Sequence, residues 1–400
     1  MGHNTCKVIP LLFFSPLFFS HQSAAGGLWL NEYGTPAMGR ARAGAAAGVN
    51  DASTVHHNPA TMSRLEREQW MASGGIVYSS VEFDLERNSL VNGTDAGDDA
   101  GGLAPGASVF YVNPHFNGQW SWGISAAALA GSVLDYDDSW AGRFQATEVN
   151  LATVGVAPGL SYQVNDWLSL GANLQLVYAR LEVKLEVPIV NQEAKIDGDD
   201  TRLGYVLGAA AELTPHTRIG LVYQSELDFE FSGDAKLPAG SNVGVDTGLP
   251  LAAYTRLALT HELNDAFNLH ATWGWDDWGS LDNVNLTTNS GGVALAANWD
   301  DTYHYALGLE YKASAQWTFS TGVAYDTNPV SKYDRNAQLP VDRQVRYAFG
   351  AQYQQRDNFS LGGQLVYADL GKAKIEGLGY GGEFETNQVF FISINANWWL

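Results

Sequence analysis

From residue 69 to the C-terminus the chain alternates apolar residues with polar or small ones, and polar breaks divide the pattern. Only an extended strand puts residues i and i+2 on one face, so this period of two dictates sheet. Residues 317–325 set Trp317, Phe319, Val323 and Tyr325 against Thr318, Ser320, Gly322 and Ala324. Residues 345–353 set Val345, Tyr347, Phe349 and Tyr353 against Arg346, Gly350 and Gln352. Residues 217–231 read as a single phase, with Ile219, Leu221, Tyr223, Leu227, Phe229 and Phe231 opposite Arg218, Gln224, Glu226, Asp228 and Glu230. One apolar face suits either a sandwich or a membrane barrel.

Connection lengths separate the two. The pattern predicts about fourteen strands, and an even number is the rule for bacterial barrels. Tight connections at 113–118, 165–166, 215–216, 264–265, 313–315 and 357–358 alternate with longer polar segments such as 84–104, 233–248 and 281–300. Short turns on one rim and long loops on the other mark an all-β transmembrane antiparallel β-barrel over 69–400. Trp120, Trp122, Trp167, Phe267, Trp317, Phe359, Trp398 and Trp399 all fall beside the short turns or the C-terminus. Rings gathered there are expected of an aromatic girdle at the headgroup level. The last strand ends in an alternating run to Leu400, which resembles the signal read by the barrel assembly machinery. The chain is 16% charged with 43 Gly, and no internal run reaches the ~20 apolar residues of a spanning helix. A net charge of −21 opposes nucleic-acid binding.

The N-terminal part does not alternate. Residues 1–25 carry one charge, Lys7, a short apolar core over 8–19, and small residues at Ser23, Ala24 and Ala25. This reads as an export signal cleaved after Ala24 or Ala25. The single cysteine, Cys6, lies within it, so the mature chain is expected to hold no disulfide. Residues 26–68 are rich in Gly and Ala and contain Asn58-Pro59-Ala60. Small residues need a wall to pack against, and Pro59 interrupts helix, so this stretch is expected to be a plug (hatch) in the barrel lumen.

Three segments, LNEYGTPAMGRARAGAAAGVNDASTVHHNPA, YQVNDWLSLGANLQLVYARLEV and DTYHYALGLEYKASAQWTFSTGVAYDTNPV, occur here in order. With them the chain resembles the outer-membrane long-chain fatty acid transporter (FadL) family over nearly the whole mature length. The resemblance implies a fourteen-stranded barrel, an N-terminal hatch and passive uptake of hydrophobic compounds, with long-chain fatty acids first and aromatic hydrocarbons as the alternative. Asn58, Pro59 and Ala60 match the hatch motif. Asp326 matches a strand-end aspartate tied to transport, and Arg346 the arginine in the next strand. The family's long extracellular segment after the fifth strand is replaced by residues 188–200, which puts the capture site in question.

In the fifth strand the even positions are apolar through Tyr178 and then become Arg180, Glu182, Lys184 and Glu186. Crossing a bilayer takes about 9–11 strand residues. Without a bulge, Leu181, Val183, Leu185 and Val187 therefore line an apolar ligand chamber in the upper barrel; a bulge would turn them outward. For a carboxylate ligand, Arg346, Lys184 and Arg180 are candidate contacts, with Asp326 on the ligand path. The pair Asp326 and Arg346 could equally brace the wall. His56-His57 lacks a third ligand, so no metal site is read there. The acidic loops around Asp98 and Asp199 read as solvated charge, and no catalytic constellation or cofactor motif is present. The expected partners are a hydrophobic ligand, outer-membrane lipid and lipopolysaccharide, with the barrel a monomer. The rival readings are a general porin and a structural or adhesive surface barrel.

Overall fold

The computed structural model describes residues 34–88, 96–187, 192–236, 242–281, 283–288, 291–377 and 379–400. The expected export signal and the start of the expected plug lie outside these residues.

Fourteen antiparallel strands follow one another: β1 (Gln69–Asn88), β2 (Leu103–Asn117), β3 (Trp120–Ala127, continued by Gly131–Asp135), β4 (Glu148–Gln163), β5 (Leu168–Val187), β6 (Gln192–Thr214), β7 (Thr217–Gln224, continued by Leu227–Lys236), β8 (Asn242–Leu251 and Tyr254–Glu262), β9 (Phe267–Asp276 and Asn283–Thr288), β10 (Gly291–Ala296 and Thr302–Lys312), β11 (Trp317–Asp326), β12 (Gln344–Arg356), β13 (Phe359–Asp369) and β14 (Tyr380–Trp399). Each pairs with its neighbours, and β1 pairs with β14 from Gln69–Trp399 to Asn88–Tyr380, which closes the barrel. Closure leaves the sheet no terminal edge strand, so the backbone satisfies its own hydrogen bonds in lipid nearly all the way round. The expected fold class is thus observed.

Alternation sorts the two faces. Along β5, Leu170, Leu174, Leu176 and Tyr178 are exposed while Asn173, Gln175, Val177 and Ala179 are buried in the lumen. Three of the tight turns share one device. The side-chain oxygens of Asn165, Asn264 and Ser314 accept backbone N–H groups two and three residues on, just before Leu168, Phe267 and Trp317. Such side-chain turns fix a tight reversal without glycine. Beside them lie the cross-strand ring pairs Trp120–Tyr162, Phe267–Tyr311, Trp317–Tyr353 and Phe359–Trp398, with centroids 4.8, 4.8, 4.8 and 5.4 Å apart.

Three expectations change. Of the segments expected as polar loops, residues 233–236 and 242–248, and 283–288 and 291–296, continue strands, because their own alternation suffices once neighbours pair with them; 237–241, 282 and 289–290 lie outside the described residues. Residues 192–200 are likewise strand, so β5 and β6 form one long hairpin instead of a separate capture segment; 188–191 lie outside the described residues. The single phase read across 217–231 is broken at Ser225-Glu226. Below the break the even residues Gly220, Val222 and Gln224 are buried; above it the odd residues Leu227, Phe229 and Phe231 are. Ser225 fills the irregularity by exchanging hydrogen bonds with Tyr205.

Candidate functional site

The lumen is built in three tiers. The lowest, at the short-turn rim, holds residues 34–65. The turn Pro36–Arg40 lies against β11–β13, Ala45–Ala47 against β7 and β8, and Pro59–Arg64 against β4–β6. Polar bonds tie it to the wall at intervals. Arg40 meets Glu310 at 3.1 Å, Gly44 N–H donates to Thr272 Oγ1 at 2.9 Å, and Asn173 Nδ2 donates to the Val55 carbonyl at 3.0 Å. Asn58 is the densest junction. Its Nδ2 donates to the carbonyls of Ala46 at 2.6 Å and Ala209 at 3.1 Å, and its Oδ1 accepts from Ala60 N–H at 3.0 Å. Pro59 follows as the first residue of the 3₁₀ turn, where its missing N–H costs nothing. The wall gives way at this point: a Cβ on Gly208 would sit 2.0 Å from Asn58 Oδ1, and one on Gly171 2.3 Å from Ala60 N. Only glycine permits that approach.

Titratable groups in this tier are displaced by burial. His56 is pushed down to about 3 and His57 well below its usual range, by desolvation first and then by the nearby Arg42 charge. Asp51 is raised by desolvation, against hydrogen bonds from Ser53. His57 sits 3.2 Å from Thr35 Oγ1, and the two imidazoles lie on one short helical turn, Thr54–His57.

The middle tier is charged. Asp326 accepts from Arg346 and lies 2.7 Å from His304 Nδ1. Arg256 meets Asp276 at 2.7 Å and lies 4.6 Å over the ring of Tyr254. His304 and Asp326 face each other in register on β10 and β11, and Arg346 reaches diagonally from β12. Buried ions persist in such a place only when paired. Arg256, Asp276 and His304 were missed in the sequence; the available signal was a charged or imidazole side chain at inward parity within a strand. A water-sized space of about 20 Å³ joins this belt to Arg42 and His57 below it.

The upper tier is apolar. The β5–β6 register is unbroken from Leu168–Ala211 to Val187–Gln192, so no bulge turns β5. Leu181 and Val183 face inward and are buried; Leu185 and Val187, on the same face nearer the rim, are half-buried. The break in β7 adds Leu227, Phe229 and Phe231, the last two stacked at 5.7 Å, and β8 adds Leu249 and Leu251 in register with them. Arg180 and Lys184 are absent from this group. They stand on the outer face of β5, where Arg180 meets Asp197 at 2.8 Å and Lys184 pairs with Glu148. Even positions of β5 point outward above the lipid-facing band, so these cations do not reach a lumenal carboxylate, whereas Arg346 does face the lumen.

The wall is interrupted at β3. Pairing with β2 stops at Ser108–Ala127, and the upper piece of β3 pairs only with β4. The hydroxyl of Thr153 takes up the break, accepting from Leu129 and Ala130 N–H at 3.1 and 2.7 Å. A cavity of about 40 Å³ lies there, lined by Gly34, Met38, Ser108, Ala127, Ala128 and residues of β1 and β14.

Residues 16–379 match the model of a family described as outer membrane protein transport protein (OMPP1/FadL/TodX). The chain belongs to this family. Its place is the bacterial outer membrane. Among relatives, it is 27% identical over 410 residues to a long-chain fatty acid transport protein of Escherichia coli O6:H1, covering 90% of this chain and 91% of that one. It is 27% identical over 411 residues to outer membrane protein P1 of Haemophilus influenzae, covering 88% of each. The fold matches the crystal structure of a Pseudomonas aeruginosa FadL homologue with a TM-score of 0.86, 22% identity and coverage of 93% and 99%. It also matches the Ralstonia pickettii toluene transporter TbuX with a TM-score of 0.67, 19% identity and coverage of 92% and 99%.

Proposed function

We propose that this barrel takes up hydrophobic compounds passively across the outer membrane. The observation that carries the reading is the inward apolar surface of Leu181, Val183, Leu227, Phe229, Phe231, Leu249 and Leu251, set above a lumen filled by residues 34–65. Burial of apolar ligand surface contributes about 25 cal/mol per Å², so such a chamber draws a greasy solute out of the lipopolysaccharide layer. Names of relatives support two ligand classes, long-chain fatty acids and toluene. The first is favoured by the identity over the whole chain.

Residues 34–65 act as the hatch, with Asn58, Pro59 and Ala60 as its hinge on β6. A ligand then leaves sideways at the β2–β3 interruption, because the way down is occupied and the wall there lacks pairing. Ligand shifts the hatch only if it binds one hatch position better than the other. Arg346, already paired with Asp326, is the cation placed to meet a ligand carboxylate on its path.

The test is uptake of radiolabelled oleate and of toluene by a deletion strain complemented with wild-type or Phe229→Asp protein. Wild type is expected to restore oleate entry. The variant, assembled to wild-type level, is expected to lose it about tenfold, since a buried unpaired carboxylate opposes an apolar ligand. Equal uptake by both proteins would remove the chamber from the reading. Ion conductance at the level of an open pore would favour a general porin.

A further inference from the structure

The connection between β3 and β4, residues 136–147, folds into the barrel mouth instead of standing above it. Trp140, near its middle, is wholly buried. The indole stacks on Tyr136 of its own loop, with centroids 4.0 Å apart and planes 9° from parallel. Its other neighbours belong to the wall. Phe83 of β1 meets it edge-on at 6.1 Å and Tyr380 of β14 at 5.9 Å. Phe83 packs in turn on Phe384, its cross-strand partner, at 5.0 Å. Strands therefore supply an aromatic box, and a loop supplies what fills it.

Two details separate this from ordinary core packing. The only polar atom of the indole, Nε1, donates to the Ala146 carbonyl at 2.8 Å, within its own loop. Trp140 can leave with that loop without breaking the indole's own hydrogen bond, and the box it vacates presents mainly ring faces and edges, while the loop's ties to the wall lie elsewhere, at Arg143 with Glu186 of β5 and at Gln145 with Tyr380. Second, the loop is held inward by side-chain latches. Gln145 accepts from Ala337 N–H at 3.0 Å and from the Tyr380 hydroxyl at 2.7 Å, and its carbonyl accepts from Gln338 Nε2 at 2.9 Å. The Tyr136 hydroxyl donates to the Ala337 carbonyl at 3.0 Å. Residues 327–343, which carry those partners, are themselves gathered round Arg335, whose guanidinium donates to the carbonyls of Val341, Lys374 and Val330. Two mouth loops are thus joined to each other across the lumen.

We propose that Phe83, Tyr380 and Phe384 form a binding subsite for a flat, uncharged aromatic group of about two fused rings, and that Trp140 occupies it until the loop latched by Gln145 swings away. Edge-to-face contacts of this kind select planar rings beyond what apolar area alone would do. The proposal rests on the reading of hydrophobic uptake and assigns that function an entry subsite and a competing resident. Ligand and Trp140 exclude one another, so the resident lowers apparent affinity by the fraction of time it is in place.

Naphthalene is the probe, and uptake by complemented cells is the readout. The chain has a single cysteine, Cys6, in the expected export signal, so Gln145→Cys/Gln338→Cys provides a clean cross-link between the loops. Reduced, this variant lacks the Gln145 latch and is expected to take up naphthalene at least as fast as wild type, and its rate is the reference for the cross-linked form. Cross-linked by disulfide or a short bifunctional maleimide, it is expected to slow about tenfold, with the disulfide form recovering on reduction. Trp140→Ala is expected to lower the half-saturating naphthalene concentration several-fold, with Trp140→Phe between it and wild type. Equal rates for cross-linked and reduced protein overturn the proposal, also where Trp140→Ala fails to assemble. An assembled Trp140→Ala barrel with unchanged half-saturation overturns it as well. Uptake of oleate without uptake of naphthalene removes the aromatic subsite and leaves hydrophobic transport standing; uptake of neither removes both.

Discussion

The two ends of the lumen are filled by opposite chemistry. At the short-turn rim, residues 34–65 are fixed by hydrogen bonds and ion pairs spread around the ring, with wall glycines cut to fit them. At the mouth, side chains such as Leu181, Phe229, Phe231 and Trp140 meet through apolar and aromatic contact, with few polar ties to the wall. A hydrogen bond has one geometry, whereas apolar contact is non-directional and admits a substitute of similar size and shape. The lower tier is therefore built to hold one occupant in one position. The upper tier is built to exchange occupants. Between them the belt of Asp326, His304, Arg346, Arg256 and Asp276 spans five strands and fixes the level at which one gives way to the other.

That belt supplies the largest expected effect. Asp326→Ala leaves Arg346 buried without its acid, which costs about 3–5 kcal/mol when one partner of a buried pair is removed. The heat-induced mobility shift of the folded barrel is expected to begin at a markedly lower temperature. Asp326→Asn, which keeps an acceptor, should lose less. If both variants match wild type, the belt is no boundary.

The lower tier is next. Gly208→Val puts methyl groups where Asn58 Oδ1 now sits. Overpacking of this order costs about 1–3 kcal/mol, and here the movable partner is the segment. The expected result is a barrel of normal heat stability, faster proteolysis within residues 34–68 and rising conductance in planar bilayers. A closed, protease-resistant variant would show that the polar fit is not what holds the segment.

Acid should distinguish the tiers with a smaller effect. His56 ordinarily titrates near 6.5 and is held to about 3 when buried, so the released segment binds the proton first. The histidine contribution to docking is complete above pH 6.5 and is lost as pH falls toward 3; at pH 5 one such imidazole weakens docking by about 2 kcal/mol. His57, shifted the same way, adds to this. Asp51, raised, works in the opposite sense, its contribution being present below 3.8 and lost as pH rises through its folded value. Protection factors of the amides in residues 45–60, taken relative to the slower intrinsic exchange in acid, should fall from pH 7 to pH 5 while the Phe229–Phe231 strand keeps its protection. His56→Leu should remove part of that response, with His57 supplying the rest.

How much of this was legible follows the same division. The strands, their number, the girdle and the inward parity of Asp326 and Arg346 all follow from alternation, since parity fixes direction as long as the register holds. Phe229 and Phe231 were assigned to the wrong face because the break at Ser225-Glu226 shifts the phase while leaving apolar residues at odd positions on both sides. A one-residue slip of that kind leaves no mark in the alternation. Arg256, Asp276 and His304 were passed over because none has its partner in its own strand, and only the register of the neighbouring strands β8 to β12 brings them together. The inward folding of residues 136–147 was also hidden: Tyr136 and Trp140 in a polar loop read equally well as mouth-rim aromatics.

The smallest expected effect lies outside the lumen and closes the comparison. Arg180 and Lys184 share β5 with Leu181 and Val183, yet they face away, each paired with an acid on a neighbouring strand. Exposed pairs of this type contribute about 0–1 kcal/mol. The like-charged register partners Lys184 and Lys195 are relieved sideways, Lys184 by Glu148 on β4 and Lys195 by Glu182 on β5, so losing one cation redistributes its partner instead of stranding it. Arg180→Gln and Lys184→Gln should leave oleate uptake within about twofold of wild type. Arg346→Gln, on the lumen face, should reduce it well beyond that. If Lys184→Gln reduces oleate uptake while sparing toluene, a carboxylate reaches the outer face of β5. Capture would then begin on the barrel exterior and not in the apolar mouth.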